Sequence, residues 1–234
     1  MEVEVIIIPD VHGRVFWQEA LDYINSGVPT IFLGDYLDPY RYEGITGEDA
    51  IRNFEEILEV TKNEKTNITL LTGNHDCTYL FPLEKICEDR VDYYRYGEIQ
   101  KLFRENKDLF YLAVKSGNIL YSHAGIHKEW LDWVSVKEEA IIGRPVINLS
   151  QRIIDGLYIR SIYRGGEFEF GSPVWADIRE WSSSSLWEET QIVGHTQLQG
   201  EPLRTGSVVC LDTRECFYVD KEGDIRRLRD DRVI

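Results

Sequence analysis

Five short segments of the sequence place a metal-competent side chain directly after an apolar, β-rich run. They are Asp10-Val11-His12, Gly34-Asp35, Gly73-Asn74-His75-Asp76, Ser122-His123-Ala124-Gly125 and Gly194-His195. Four of the five histidines of the chain lie within these segments. In an open α/β sheet, the loops at the carboxyl ends of the strands face one crevice, where ligands bind. The pattern therefore predicts that residues far apart along the chain converge on one site.

The donor types in these segments favour a transition metal. Carboxylate, imidazole and amide oxygen form a ligand set that suits Mn, Fe, Zn or Co better than Ca or a thiolate-seeking metal. Two such ions roughly 3.5–4 Å apart clamp a phosphoryl group for in-line displacement. Asp10 and Asp35 bring one negative charge each and the other donors are neutral, so a pair of divalent ions would leave the site net positive. A phosphate ester could then enter a protein that is otherwise acidic.

The elements that must position these donors follow from the apolar periodicity. Short β-branched runs predict strands that end just before the donors, and the segments between them have apolar residues at helical spacing. The predicted strands are residues 3–8, 30–33 and 67–71, and the predicted helices are residues 14–25 and 48–62. This alternation of strand and helix is typical of a βαβαβ layer with a largely parallel sheet.

The remainder of the chain predicts a mixture of helices and short strands. A helical, aromatic stretch at roughly residues 77–109 is expected to form a cap-like insertion, and Ser116-Gly117 suits a hairpin turn. Strands are predicted at residues 109–115, 118–121, 191–193, 207–211 and 216–219, helices at 128–140 and 149–159, and a loop at 165–185. No repeat or Pro/Ser-rich linker interrupts the sequence, which predicts a single domain over residues 1–234.

The composition excludes several classes of protein. The chain has 234 residues, 26 Lys and Arg against 41 Asp and Glu, and a formal net charge of −15. Such acidity argues against a surface that binds duplex nucleic acid, which would need clustered basic residues. No apolar run approaches the roughly 20 residues of a membrane-spanning helix. The first residues lack the features of a signal peptide, so we expect a cytoplasmic protein with free thiols at Cys77, Cys87, Cys210 and Cys216.

The ordered series of segments resembles the calcineurin-like metallophosphoesterases. The matching segments are Asp10-Val11-His12-Gly13, Gly34-Asp35-Tyr36-Leu37-Asp38, Gly73-Asn74-His75-Asp76, Ser122-His123-Ala124-Gly125 and Gly194-His195-Thr196. Within that family the series is most similar to the branch that holds the phosphoprotein phosphatases and the diadenosine tetraphosphatase-like enzymes. The resemblance implies an α/β fold, a β-sandwich of two mixed sheets flanked by helices in four layers (αββα).

The resemblance also implies a dinuclear metal centre. Its implied ligands are Asp10 and His12 for the first ion, Asp35 as the bridge, and Asn74, His123 and His195 for the second ion. Manganese is the expected metal, with Fe, Zn, Co and Ni as alternatives. A water or hydroxide between the two ions would be the nucleophile.

Under the same resemblance, the catalytic acid would be His75. It would protonate the departing oxygen, and Asp38 would orient its imidazole and favour the charged form. An alkoxide leaves poorly without a proton, and histidine titrates near neutral pH, so the assignment fits the reaction.

The sequence departs from the family at the position that grips the phosphate. Phosphoprotein phosphatases carry Arg-Gly after Gly-Asp-x-x-Asp, whereas Pro39-Tyr40 stand there in this chain. Arg41 and Arg179 are therefore the phosphate-binding candidates, with Arg160 and Arg164 as further choices.

Each segment taken alone also has a plainer structural explanation. The aspartates could cap helices, the segment from Gly73 to Asp76 could form a turn, and the histidines could be buried and bonded to backbone. His127 has no strand before it, so we expect it at the surface. Trp175, Trp181 and Trp187 either cover the site or pack in the core.

The joint pattern predicts a metal-dependent phosphoesterase that acts on a phosphomonoester or phosphoanhydride without a covalent intermediate. Its activity would be like that of a Ser/Thr phosphoprotein phosphatase or a dinucleoside polyphosphatase. Its partners would be a phosphorylated small molecule, a nucleotide or a phosphoprotein, with no duplex nucleic acid and no membrane. Two alternatives stay open: a phosphodiesterase or nuclease of the same superfamily, and a catalytically silent binding protein on the same fold. The oligomeric state has no signal in the sequence.

Overall fold

A computed structural model of the chain describes residues 2–63, 65–81, 90–182 and 189–234. In chain order, its strands are β1 (Val3–Ile8), β2 (Thr30–Phe32), β3 (Ile68–Leu71), β4 (Phe110–Tyr111), β5 (Ala113–Ser116), β6 (Ile119–Ser122), β7 (Thr190–Val193), β8 (Leu203–Thr205), β9 (Val208–Cys210), β10 (Phe217–Asp220) and β11 (Ile225–Arg227). They form one sheet in the order β11-β10-β1-β2-β3-β4 and another in the order β5-β6-β7-β9-β8. Both sheets are mixed, because parallel strands at the centre are joined by antiparallel strands at the edges.

Parallel pairing brings the strand ends to one side of each sheet. In the first sheet β1, β2, β3 and β4 run parallel to one another, with Ile8 opposite Phe32 and Phe32 opposite Leu70. In the second sheet β6, β7 and β9 are likewise parallel to one another. The loops that carry the predicted donors therefore leave their sheets at carboxyl ends, as the sequence predicts.

The alternation of side chains along β1 divides the core into layers. Val5 and Ile7 point into the space between the two sheets, where Ile192 belongs to the same buried cluster. Ile6 and Ile8 point the other way and belong to the cluster that the helices cover. A strand that is buried on both faces needs the near-continuous apolar run that the sequence shows at residues 3–8.

The helices flank the sheets and are short, with one exception. Their bounds are α1 (Leu21–Asn25), α2 (Gly47–Thr61), α3 (Asn74–Leu80), α4 (Tyr96–Glu105), α5 (Lys128–Trp133) and α6 (Gln151–Gly156). The longest, α2, begins with a capping box in which the backbone N–H of Asp49 donates to Thr46 Oγ1 at 3.1 Å. Its buried face carries Ile51, Phe54 and Ile57, as the periodicity of residues 48–62 predicts.

The structure corrects several predicted elements. The predicted helix at residues 14–25 is a 3-10 helix (Phe16–Ala20) followed by the short α1. The predicted strand at residues 109–115 is broken at the buried Leu112, so that β4 joins the first sheet and β5 the second. The edge strands β8 and β11 were not predicted. Each has only three residues and includes arginine, so neither shows an apolar pattern in the sequence.

Some predictions fall partly outside the described residues. The insertion predicted at residues 77–109 contains α3 up to Leu80 and all of α4, whereas residues 82–89, which include Cys87, lie outside the described part. Trp187 also lies outside it. Cys210 and Cys216 are buried free thiols, and Cys77 is also buried. Among the helices of residues 2–63, 65–81, 90–182 and 189–234, none has the length and apolarity needed to cross a bilayer.

Candidate active site

The predicted donors gather at one end of the sandwich. They sit where strands end or helices begin: Asp10 and His12 follow β1, Asp35 follows β2, Asn74 and His75 begin α3, His123 follows β6, and His195 follows β7. All are buried except His195, which is partly exposed. Donors from both sheets thus share one site.

The carboxylate of Asp35 lies at the centre of the cluster. Its Oδ2 is 3.6 Å from His12 Nε2 and 3.6 Å from His123 Nε2. Ligand atoms of Asp35, His12 and His75 lie within 4.8 Å of one another, and so do those of Asp35, His123 and His195. Asp35 is therefore common to two groups that could each hold a metal ion.

Two further contacts complete the second group. His123 Nε2 lies 3.0 Å from Asn74 Oδ1 and 3.2 Å from His195 Nδ1. The backbone N–H of His195 donates to both carboxylate oxygens of Asp10, at 3.0 and 3.1 Å. Asp10 is thereby fixed beside a residue that arrives from the other sheet.

Backbone carbonyls orient two of the imidazoles. His12 Nδ1 donates to the Leu37 carbonyl and His123 Nδ1 to the Leu33 carbonyl, each at 2.8 Å. Each bond turns the remaining ring nitrogen, Nε2, toward Asp35. Metal-binding histidines are commonly held in this way by a second hydrogen bond.

The loops hold four site residues in the left-handed backbone region. The φ angles are +44° for His12, +52° for Asp35, +58° for Asp38 and +64° for His195. Residues with a side chain seldom adopt this conformation, and examples cluster at functional sites. Gly34, with φ of +112°, precedes Asp35, and a Cβ there would come within 2.5 Å of the Gly73 backbone nitrogen. Glycine is therefore required for the two loops to pack this closely.

Burial dominates the electrostatics of the cluster. It raises the pKa of Asp35 well above its usual value, and the neighbouring Asp10 and Asp76 carboxylates add to this effect. It lowers the pKa of His12 and of His195 well below the usual value, so both imidazoles are held neutral, the form that binds metal. His195 Nε2 is buried and has no hydrogen-bond partner in the described part of the chain. Clustered carboxylates beside neutral imidazoles are a set of donors that suits divalent cations.

A separate chain of hydrogen bonds orients His75. Its Nδ1 lies 2.8 Å from Asp38 Oδ2, and the Tyr79 hydroxyl donates to Asp38 Oδ1 at 2.5 Å. Burial alone would lower the pKa of His75, but the negative charges of Asp35 and Asp38 outweigh it and raise the pKa. The arrangement fixes Nδ1 on Asp38 and turns Nε2 toward the open part of the site.

The buried carboxylate of Asp76 ties two of the loops together. It accepts the backbone N–H groups of Asp35 and Gly73 at 2.8 Å and that of Tyr36 at 3.2 Å. Burial raises the pKa of Asp76 to about 6, although these donors act in the opposite direction. The sequence shows this residue only as part of a turn-like segment, and its positioning role depends on contacts across 40 residues or more.

We expect Asp76→Asn to weaken metal binding about tenfold, the effect typical of losing an outer hydrogen-bond partner. The amide nitrogen cannot accept, so at least one of the three N–H groups loses its acceptor. Affinity is measured by competition with a chelating dye, with Asp108→Asn, an exposed aspartate on a 3-10 helix, as the control. An unchanged metal affinity in Asp76→Asn would show that Asp76 does not help to position the metal-binding loops.

A cavity of about 320 Å³ opens onto the cluster. Its lining combines the donors with basic and aromatic side chains: His12, Asp35, Tyr40, Asn74, His75, Arg90, Arg160, Arg164, Trp175 and His195. The Arg160 guanidinium lies 4.0 Å from the centre of the Trp175 ring, so this tryptophan covers the site as well as packing. Arg164 donates to Thr196 Oγ1 at 2.7 Å and pairs with Asp177 at 2.8 Å. A cluster of donors flanked by guanidinium groups suits a phosphate.

The structure does not bring Arg41 or Arg179 to this cavity. Arg41 is exposed on a 3-10 helix (Arg41–Glu43), and Arg179 pairs with Asp177 at 2.6 Å beside a different cavity. The guanidinium groups that do line the site are those of Arg160 and Arg164, which the sequence ranks behind them, and Arg90, which no motif indicates.

The surface position expected for His127 is wrong. Its side chain is buried and stacks on Trp181, with ring centroids 3.8 Å apart. Glu180 Oε2 lies 3.0 Å from its Nε2. The plainer explanation, a buried histidine in packed surroundings, therefore applies to this histidine.

Comparisons with known proteins agree with the architecture. Residues 3–197 match the family model described as calcineurin-like phosphoesterase. Among solved structures, a cold-active protein-tyrosine phosphatase of a psychrophile, a Shewanella species, matches with a TM-score of 0.58 and 15% sequence identity, over 97% of this chain and 78% of that one. A structure of cold-active protein tyrosine phosphatase at 1.1 Å matches with a TM-score of 0.56 and 16% identity, over 99% and 80%. No curated protein sequence matches the chain. The predicted sandwich of two mixed sheets with flanking helices is confirmed.

Proposed function

Because the chain belongs to the calcineurin-like phosphoesterase family, we propose that it is a dinuclear metal-dependent hydrolase of phosphomonoesters or phosphoanhydrides. The geometry around Asp35 carries the proposal, since one carboxylate is shared by two groups of donors, each within 4.8 Å. Family membership supports a metal-dependent hydrolase of phosphate esters. We propose in addition that it holds two ions and acts on phosphomonoesters or phosphoanhydrides.

The residues that would hold the metals come from the two groups, with Asp10 and Asn74 added from beside them and His75 left out as the proton donor. We assign Asp10 and His12 to one ion, Asp35 to both, and Asn74, His123 and His195 to the other. Neutral imidazoles and an unpartnered His195 Nε2 support this assignment. When bound, such ions lower the pKa of water and neutralise charge that develops on a phosphoryl group. Manganese fits the mixed oxygen and nitrogen donor set, as do Fe, Zn, Co and Ni.

Side chains of the protein would protonate the departing oxygen and bind the phosphate. His75, oriented by Asp38, presents Nε2 to the cavity and would donate a proton to the departing oxygen. Asp38 would favour the charged imidazole through its own negative charge. Arg160 and Arg164 would bind non-bridging phosphate oxygens, because charge-assisted hydrogen bonds from guanidinium are among the strongest available.

The basic lining favours a terminal phosphate over a diester. A phosphomonoester carries close to two negative charges at neutral pH, and a diester carries one. Arg90, Arg160 and Arg164 in one cavity of about 320 Å³, beside divalent ions, suit the more highly charged group. Phosphoproteins, nucleotides and small phosphorylated molecules all offer such a group. The protein-tyrosine phosphatase with a similar fold makes phosphotyrosine peptides a natural addition to the test.

We expect the manganese-loaded chain to hydrolyse p-nitrophenyl phosphate at least tenfold faster than bis-p-nitrophenyl phosphate, since the extra charge strengthens binding by a charge-assisted hydrogen bond or more. Phosphate release is measured for both substrates, for a dinucleoside polyphosphate and for phosphoserine and phosphotyrosine peptides, with Mn, Co, Ni and Mg in parallel. The ranking of these substrates identifies the class.

Two results would replace the proposal. Faster hydrolysis of the diester would favour a phosphodiesterase or nuclease of the same superfamily. Absence of bound metal by elemental analysis, together with no hydrolysis in the presence of any of the four ions, would favour a silent binding protein.

A further inference from the structure

Pro39 occupies the position where the family carries a phosphate-binding arginine, and Tyr40 directly follows it in this chain. Tyr40 lies in the cavity wall next to His12, with ring centroids 5.2 Å apart. Its ring is covered by the guanidinium of Arg90, whose central carbon lies 3.7 Å from the ring centre. A guanidinium at this distance over an aromatic face is held by electrostatic attraction and stacking. The chain thus places an arginine on the residue next to the position of the missing one.

Arg90 also contacts the residues that would provide the proton. Its Nε donates to the Asp38 carbonyl at 3.2 Å, and its Nη2 donates to His75 Nε2 at 3.0 Å. Because His75 Nδ1 is engaged by Asp38, Nε2 is the ring nitrogen that faces the cavity. Arg90 therefore covers the atom that must reach the departing oxygen. Its own φ of +57° is the left-handed conformation shared by His12, Asp35 and Asp38.

We propose that Arg90, supported by Tyr40, performs the phosphate binding of the missing motif arginine and uncovers His75 when substrate binds. This inference rests on the proposed function. A guanidinium donates far more strongly to a phosphate oxygen, which is ionised, than to the lone pair of a neutral imidazole. The incoming phosphate draws Arg90 off Nε2, while the Tyr40 ring keeps the guanidinium at the same wall of the cavity. Nε2 carries no proton while it accepts from Arg90; once uncovered, it can take up from water the proton that it passes to the departing oxygen. Substrate binding and exposure of Nε2 thus become one event.

The first test measures phosphate binding, independently of turnover. In the manganese-loaded chain, Arg90→Ala should weaken the affinity for inorganic phosphate about 10- to 100-fold, the range for losing a hydrogen bond to a charged group. Isothermal titration measures this affinity, and elemental analysis checks that metal content is unchanged. Arg104→Ala, which removes an exposed arginine of α4 bonded to Gln100, is the matched control. Equal phosphate affinity in Arg90→Ala and Arg104→Ala would overturn the inference.

The second test concerns the supporting ring. Tyr40→Phe keeps an aromatic face and should keep the KM for p-nitrophenyl phosphate within about twofold, whereas Tyr40→Leu should raise it several-fold. Equal KM values in Tyr40→Leu and Tyr40→Phe would contradict the support assigned to the ring.

The third test observes the cover on His75. In the zinc-loaded chain with ¹⁵N-labelled histidine, the Nε2 resonance of His75 should shift on Arg90→Ala, and inorganic phosphate should shift it in the parent chain but not in the variant. If neither Arg90→Ala nor added phosphate shifts the His75 Nε2 resonance, the proposed uncovering of His75 is wrong. If the parent chain binds phosphate as expected but hydrolyses no substrate, the proposed function fails while the role of Arg90 in phosphate binding stands.

Discussion

Replacing Asp35 by asparagine is expected to lower bound metal from about two ions per chain to below one and to reduce kcat/KM about 10³-fold or more. The carboxylate Oδ2 lies 3.6 Å from both His12 Nε2 and His123 Nε2, so its charge serves both groups of donors. Asparagine keeps the size of the side chain and removes that charge. Elemental analysis of the desalted protein gives the metal content, and hydrolysis of p-nitrophenyl phosphate gives the rate.

The matched control for this experiment is Asp22→Asn. Asp22 is an exposed aspartate of α1, outside the cluster, and its variant should retain the metal and activity of the parent chain. An Asp35→Asn protein that keeps two ions per chain would show that the carboxylate does not bridge, and the ligand assignment would have to be redrawn around Asp10 alone.

Replacing His75 by alanine is expected to leave metal content intact and to cut kcat for an alkyl phosphate about 10²-fold or more, the usual contribution of a general acid. The rate for p-nitrophenyl phosphate should fall much less, because p-nitrophenolate departs without a proton. The structural reason is the division of contacts, with Nδ1 bound to Asp38 and Nε2 facing the cavity. Comparing the two substrates in one variant separates acid catalysis from general damage to the site.

Two outcomes would contradict the role of His75. Equal losses for the alkyl and the nitrophenyl substrate would indicate that His75 does not protonate the leaving group. Loss of metal in proportion to activity would place it among the ligands instead, a role that its closeness to His12 and Asp35 also permits.

The convergence of the donors could be predicted from sequence because it depends on a topological rule. Asp10, Asp35 and Asn74 each follow a strand, and parallel strands end at the same edge of a sheet whatever their side chains. The apolar runs needed to find those strands are short but unbroken. No detail of packing was needed to expect that these residues meet.

The arginines that line the cavity could not be predicted from the sequence, because their positions depend on how the connecting segments fold back onto the site. Arg179 has a neighbouring acid two positions away, and this local pair with Asp177 holds it beside another cavity. Arg90 is far from any motif, and it reaches the site through contacts with Tyr40 and Asp38 some 50 residues earlier in the chain. The spacing of apolar residues along the sequence does not indicate contacts between residues so far apart. The same limitation explains His127, whose burial depends on Trp181.

The division of donors between the two sheets has a mechanical consequence. Asp10 and Asp35 follow strands of the first sheet, and His123 and His195 follow strands of the second. An ion bound among them would therefore link the two sheets. Sliding of the layers by even an ångström would pull the donors apart. Retention of metal would therefore report the alignment of the two sheets, and we expect agents that loosen the interior to release metal before they abolish secondary structure.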